Sequence, residues 1–148
     1  MKILVLHGIN LDMFGRRDPA MYGNVTLAQI DERIAALASE LGASVEAFQT
    51  NHEGEMVERI HAVLDSDVDA VVINAGAWTH YSYGIRDALA ILSVPIVEVH
   101  VSNVHAREAW RHESVFSGVV HGQIAGFGVD SYLLGLRAAV SAVGGSGD

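Results

Sequence analysis

The sequence predicts a doubly wound α/β fold with a five-stranded parallel sheet. Three observations lead there. Five short apolar runs, at residues 3–6, 44–49, 70–73, 96–99 and 119–124, alternate with amphipathic segments, the signature of repeated βα units. Several of these runs are continuously apolar rather than alternating, as strands covered on both faces require. The chain has 148 residues, 50% of them hydrophobic, which suits one compact domain with a sizeable core. Residues 1–143 are assigned to a single domain and 144–148 to a flexible tail.

The first run ends at His7 and opens a loop over 8–23, and loops longer than about 12 residues tend to be lids or binding loops. Residues 27–41 put Leu27, Ile30, Ile34, Leu37, Ala38 and Leu41 on one helical stripe, with Thr26 as N-cap and Gly42 closing the C-terminus. Strand 44–49 is followed by a helix over 53–64, and strand 70–73 by a helix over 85–92. Pro95 opens the fourth strand, where a missing N–H donor is tolerated. A capped helix start is expected at 102–108 and a last helix at 131–143. The arrangement reads as flavodoxin-like, a three-layer sandwich with strand order 2-1-3-4-5. In that order ligands bind at the carboxyl ends of strands 1, 3 and 4, so segments 7–23, 74–80 and 100–111 should meet.

Composition removes several classes of function. Eighteen acidic residues against nine basic ones give a net charge of −9, a field that repels nucleic acid and anionic membranes. An anionic small-molecule substrate therefore needs a local basic pocket. There is no cysteine, which excludes disulfides, thiolate nucleophiles and zinc-thiolate sites. Lys2 is the only lysine and sits at the start of the first strand, so imine chemistry is excluded. No apolar run approaches the roughly 18 residues of a membrane span, and the N-terminal run is too short for a signal peptide. The expected location is cytoplasmic.

The first loop is neither a P-loop nor a GxGxxG fingerprint. It offers Arg16-Arg17 shortly before Tyr22, with Gly15 and Gly23 as hinges. A guanidinium beside a phenol favours the phenolate, the form that acts as a base. On the fourth strand Glu98, His100 and Ser102 share one face by the period of 2. A carboxylate beside a histidine fixes its tautomer and supports its protonated form, which suits a general acid. Arg107 and Arg111 lie four apart, and on a helix they would share a face as an anion trap; the alternative is ion pairing with Glu108 and Glu113. After strand 3, Asn74 presents an amide, Gly76 permits close backbone approach and His80 is a partner for a hydroxyl. The histidines lack metal-ligand spacing, so no metal is expected.

These stretches together resemble type II 3-dehydroquinate dehydratase from Ile3 to about Leu136. The matching pieces are Gly8 and Asn10-Leu11, Gly15-Arg16-Arg17-Asp18-Pro19, Tyr22-Gly23, Gln49-Thr50-Asn51-His52-Glu53-Gly54-Glu55, Thr79-His80 with Arg86-Asp87-Ala88, and Glu98 through Glu108. The resemblance implies dehydration of 3-dehydroquinate to 3-dehydroshikimate by anti elimination through an enolate, without a cofactor. It implies a role in the shikimate pathway of aromatic amino acid biosynthesis or in quinate breakdown. Carried over by position, Tyr22 is the base, Arg17 activates it, Asn10 holds a water on the enolate oxygen, and His100, oriented by Glu98, is the acid. Asn74, His80, Val101, Ser102 and Arg111 form the substrate-binding set. The family assembles as a dodecamer, a tetramer of trimers, in which Asp87 reaches a neighbouring subunit's site.

The chain departs from the family pattern at His7, Ile9 and Asp12, where Asn, Pro and Asn are usual, and at Trp78, Tyr81 and Tyr83, where smaller residues are common. Those departures keep open a weakly active homologue that binds a polyhydroxy carboxylate, and the histidines keep open a metal-dependent hydrolase.

Overall fold

A computed structural model of the chain describes residues 1–145. Its five strands are β1 (Lys2–His7), β2 (Ser44–Gln49), β3 (Ala70–Asn74), β4 (Ile96–His100) and β5 (Gly122–Ala125), all parallel in the order β2-β1-β3-β4-β5. This is the predicted topology. The helices are α1 (Pro19–Tyr22), α2 (Leu27–Glu40), α3 (Glu53–His61), α4 (Tyr83–Ile91) and α5 (Val129–Gly144).

Successive strand side chains point to opposite faces, and each face has its own core. Ile3, Val5, Ala70, Val72, Val97 and Val99 pack against Ile30, Ile34 and Leu37 of α2 and Leu136 and Ala139 of α5. Leu4, Leu6, Val71, Ile73 and Ile96 pack against Met56 and Ile60 of α3 and Ile85 and Leu89 of α4. Each fully buried Val, Leu, Ile or Met among them contributes about 1.5–3 kcal/mol. Helix α5 lies close because Gly135 carries no side chain; a Cβ there would come within 2.5 Å of Val99 Cγ1.

Local chemistry sets the helix ends. Thr26 and Gln29 close a reciprocal capping box at the start of α2, and Gly42 leaves its end at φ 74°. Helix α4 starts two residues before its predicted position because the Ser82 hydroxyl accepts from the Ile85 amide at 3.1 Å. The predicted helix 53–64 loses its last turn to a 3₁₀ segment, Ala62–Asp65. The fifth strand begins at Gly122 rather than 119, since Val119 and Val120 turn back onto Phe116 and pack in the core.

The expected helix after β4 is absent. Asn103 Oδ1 accepts from the His105 amide at 3.2 Å, but the chain forms only two 3₁₀ turns, Val104–Ala106 and Ala109–Arg111. Arg107 and Arg111 therefore share no helical face and no helix N-terminus assists them. Gly144, expected in the tail, is the last residue of α5, and residues 146–148 of that tail lie outside the described residues.

Candidate active site

Three segments meet at the carboxyl edge of the sheet as expected, and β4 supplies Glu98 and His100. The Glu98 side chain is buried, and Oε2 accepts from His100 Nε2 at 2.6 Å. Its Oε1 accepts from the Ser114 hydroxyl at 2.7 Å and from Gln123 Nε2 at 3.2 Å. Burial alone would raise this carboxyl, but the hydrogen bonds from His100, Ser114 and Gln123 and the His100 charge hold it below its ordinary range. Glu98 is thus an ionised acceptor that fixes the Nε2–H form of His100 and leaves Nδ1 as the ring's second proton-carrying atom.

His80 ends the 3₁₀ turn Gly76–His80, and its ring stacks on His100 with centroids 6.2 Å apart and planes at 23°. Its Nδ1–H donates to the Glu113 carbonyl at 2.7 Å, leaving Nε2 as an acceptor. Burial lowers its pKa from the ordinary value, with the Glu113 carbonyl opposing, so the neutral ring is favoured.

The first loop lines the same cavity. Asp18 accepts from the Ala20 amide and Pro19 begins the short helix α1, which ends on Tyr22. The Arg17 guanidinium lies 4.4 Å from the Tyr22 ring centroid and that of Arg107 lies 5.3 Å away. Tyr22 and Arg17 share a cavity with Asn74, His80, His100, Val101, Ser102 and Arg111, which holds only about 30 Å³. It adjoins a cleft of about 340 Å³ that shares His80, His100 and Arg111.

Three expected site residues do not line this cavity: Glu98, which holds His100 and lines the adjoining cleft, Asn10 and Asp87. Asn10 is exposed, at φ 68°, next to Leu11, which does line it; the Asn10 amide donates to Asn51 Oδ1 at 2.8 Å. Asp87 is exposed on α4 and pairs with Arg86 at 3.2 Å. Arg111 lines both cavities, and its Nε donates to Glu108, the pairing weighed as the structural alternative. The unusual first loop is tied down: Asn51 Nδ2 donates to Asp12 at 3.1 Å and Gln49 Nε2 to the Gly8 carbonyl at 3.2 Å.

Sequence reasoning placed Arg107 in an anion trap, whereas it approaches Tyr22 and donates to the Ser102 hydroxyl at 3.1 Å. It also passed over Gln123, although Glu98 and Gln123 are register partners across β4 and β5, so pairing the strands would have found it. Ser114 comes from an irregular loop and left no pattern to read. No group of three or more His, Asp or Glu side chains is placed to hold a metal ion among the described residues.

Comparison with known proteins adds to this geometry. The sequence model of the family described as dehydroquinase class II matches residues 1–140. The chain is 71% identical over 143 residues to a 3-dehydroquinate dehydratase of Leptothrix cholodnii, covering 97% of this chain and 96% of that protein. It is 72% identical over 138 residues to a protein of the same name from Syntrophotalea carbinolica, covering 93% of each. Among solved structures, a type II dehydroquinase from Butyrivibrio crossotus matches with a TM-score of 0.92 at 42% identity, over 94% of this chain and 97% of that one. One from Propionibacterium acnes gives 0.91 at 45% identity, over 95% and 96%.

Proposed function

Since the chain belongs to the class II dehydroquinase family, we propose that it is a hydro-lyase converting 3-dehydroquinate to 3-dehydroshikimate by anti elimination through an enolate. One observation carries the reading: Tyr22 with Arg17, and His100 held by Glu98 from behind, line a single cavity. A proton next to a ketone needs a positioned base, and a departing hydroxyl on the other face of the substrate needs an acid.

Tyr22 takes the proton at C2, and the electron pair delocalises into the C3 carbonyl as an enolate. The guanidinium groups of Arg17 and Arg107, 4.4 and 5.3 Å from the ring centroid, hold the ring in place for this step. Asn10, outside the cavity wall, acts on the enolate oxygen through a water. Collapse of the enolate expels the C1 hydroxyl, which takes a proton from His100 Nδ1 and leaves as water. Glu98 stabilises the imidazolium through Nε2–H, the same role an orienting carboxylate has in other acid–base pairs.

Asn74, the neutral His80, the Val101 amide and Ser102 bind the hydroxyls, and Arg111 binds the carboxylate. The cavity of about 30 Å³ lined by Arg17, Tyr22 and His100 holds little more than a water, so substrate enters when the loop bearing Arg17 and Tyr22 lifts. Closure then excludes bulk water from the enolate. Asp87, exposed and away from its own cavity, serves a neighbouring subunit in a dodecamer built as a tetramer of trimers. We place the enzyme in the cytoplasm, in the shikimate pathway or in quinate breakdown; no helix is long and apolar enough to cross a membrane among the described residues.

The ties from Asn51 and Gln49 to the substituted first loop favour an active enzyme over an inactive binding homologue. The test is to incubate purified protein with 3-dehydroquinate and follow the conjugated enone of the product in the ultraviolet. The reading expects steady turnover with no added metal or cofactor; no absorbance change at micromolar enzyme overturns it.

A further inference from the structure

Behind Asn74 a chain of buried polar groups runs through the protein to the outer face of α2. His7 ends β1 fully buried, and its backbone pairs in register with Asn74 of β3. Its Nδ1 lies 2.8 Å from the Tyr132 hydroxyl on α5 and its Nε2 lies 2.8 Å from Asp31 Oδ1 on α2. Asn74 Nδ2 donates to the same Tyr132 hydroxyl at 3.0 Å, while Asn74 Oδ1 accepts from the Gly76 amide at 3.2 Å.

One direction of protons satisfies every group. Asn74 donates to Tyr132, Tyr132 donates to His7 Nδ1, and His7 Nε2–H donates to the Asp31 carboxylate. Burial pushes the Tyr132 phenol far above its ordinary pKa, so it keeps the proton it donates. A doubly protonated His7 would send a second donor to Tyr132 and leave the phenol's proton without an acceptor among the described residues. Reversing the chain would require Asn74 to turn its oxygen to Tyr132 and abandon the Gly76 amide. The carboxylate at the outer end and the Gly76 amide at the inner end thus enforce the same facing of the Asn74 amide.

We propose that His7 and Tyr132 are positioning residues that lock the orientation of the Asn74 amide for substrate, with Asp31 holding the outer end of the chain. This rests on the reading that Asn74 contacts bound 3-dehydroquinate. It gives His7, which stands where the family usually has Asn, a function: an imidazole spans from Tyr132 to Asp31 with one ring nitrogen on each.

The test uses the full chain, with Asp31→Ala, Tyr132→Phe and Asn74→Ala, each alone, and Asp31→Ala combined with Asn74→Ala. The Asp31 side chain is 35% exposed, so its truncation leaves a folded protein for kinetics even where Tyr132→Phe does not fold. Asp31→Ala and Tyr132→Phe should each raise KM about 3- to 10-fold with kcat nearly unchanged, the loss of one well-set hydrogen bond to substrate. In the Asn74→Ala background Asp31→Ala should raise KM no further, because the effect passes through that amide. Unchanged KM in folded Asp31→Ala overturns the proposal, as does an additive effect in the double variant or a loss confined to kcat. An unchanged KM in Asn74→Ala refutes the assigned substrate contact, and a wild-type chain inert toward 3-dehydroquinate refutes the reaction itself; either result removes the proposal too, by a distinguishable route.

Discussion

Replacing Glu98 by Gln keeps its shape and removes its charge, and the hydrogen bonds around it set the consequence. Glu98 accepts three of them, from His100 Nε2, the Ser114 hydroxyl and Gln123 Nε2. A glutamine has one oxygen and one NH₂ group, so it cannot accept from all three. The Ser114 hydroxyl can rotate to accept instead, whereas the Gln123 amide keeps its partner only if the new oxygen turns away from His100. In the proposed reaction His100 carries a positive charge until it gives up its proton, and the charge-assisted contact is then at its strongest. A hydrogen bond to a charged group is worth roughly 1.5–3 kcal/mol, so losing it should lower kcat by about 10- to 160-fold. KM should change by no more than about threefold, since Glu98 lies behind His100 and removal of a contact made in the transition state leaves ground-state binding alone. Initial rates of enone formation over a range of substrate concentrations measure both. A folded Glu98→Gln enzyme with kcat within about twofold of wild type would refute the role given to the pair.

Gly76 adopts φ 61°, and a Cβ there would stand 2.7 Å from the Ile9 carbonyl oxygen, so Gly76→Ala should cost about 1–3 kcal/mol and lower the melting temperature by several degrees; an unchanged melt contradicts the strain. Glu98 and His80 both have depressed pKa values, the first through its hydrogen bonds against burial and the second through burial. Each binds fewer protons folded than unfolded, so stability is retained above the ordinary values of 6.5 for His80 and 4.5 for Glu98 and is lost as pH falls through the folded values. Melting temperature should decline as pH falls below about 6.5 and again below about 4.5, and Glu98→Gln should flatten the lower limb; a melt that rises on acidification contradicts this. Asp87→Ala and Tyr22→Phe should each be nearly inactive alone, and co-refolded mixtures should regain activity if Asp87 serves a neighbour's site. No recovery in mixed oligomers would place Asp87 outside the neighbouring site.

The parts legible in the sequence are those set by short-range rules. Continuous apolar runs marked the buried strands, the Thr26–Gln29 box marked the start of α2, and the period of 2 put Glu98 and His100 on one face. The segment after β4 misled because Asn103 caps a turn in the same way whether the turn continues as a helix or stops as 3₁₀. Long-range partners were harder. Ser114, Tyr132 and Asp31 are separated from their partners by 16 to 125 residues, and only the folded sheet and its covering helices bring them together. Arg107 was visible as a cation, but its closeness to Tyr22 depends on how the first loop folds back over the cavity.

Tyr22 is the proposed base, and Tyr22→Phe removes the one group that would take the proton. The substitution keeps the ring beneath Arg17 and deletes only the hydroxyl. Turnover of 3-dehydroquinate should fall by about 10²- to 10⁴-fold, the contribution of a positioned base, while calorimetry still detects substrate binding. Turnover within tenfold of wild type would contradict the assignment.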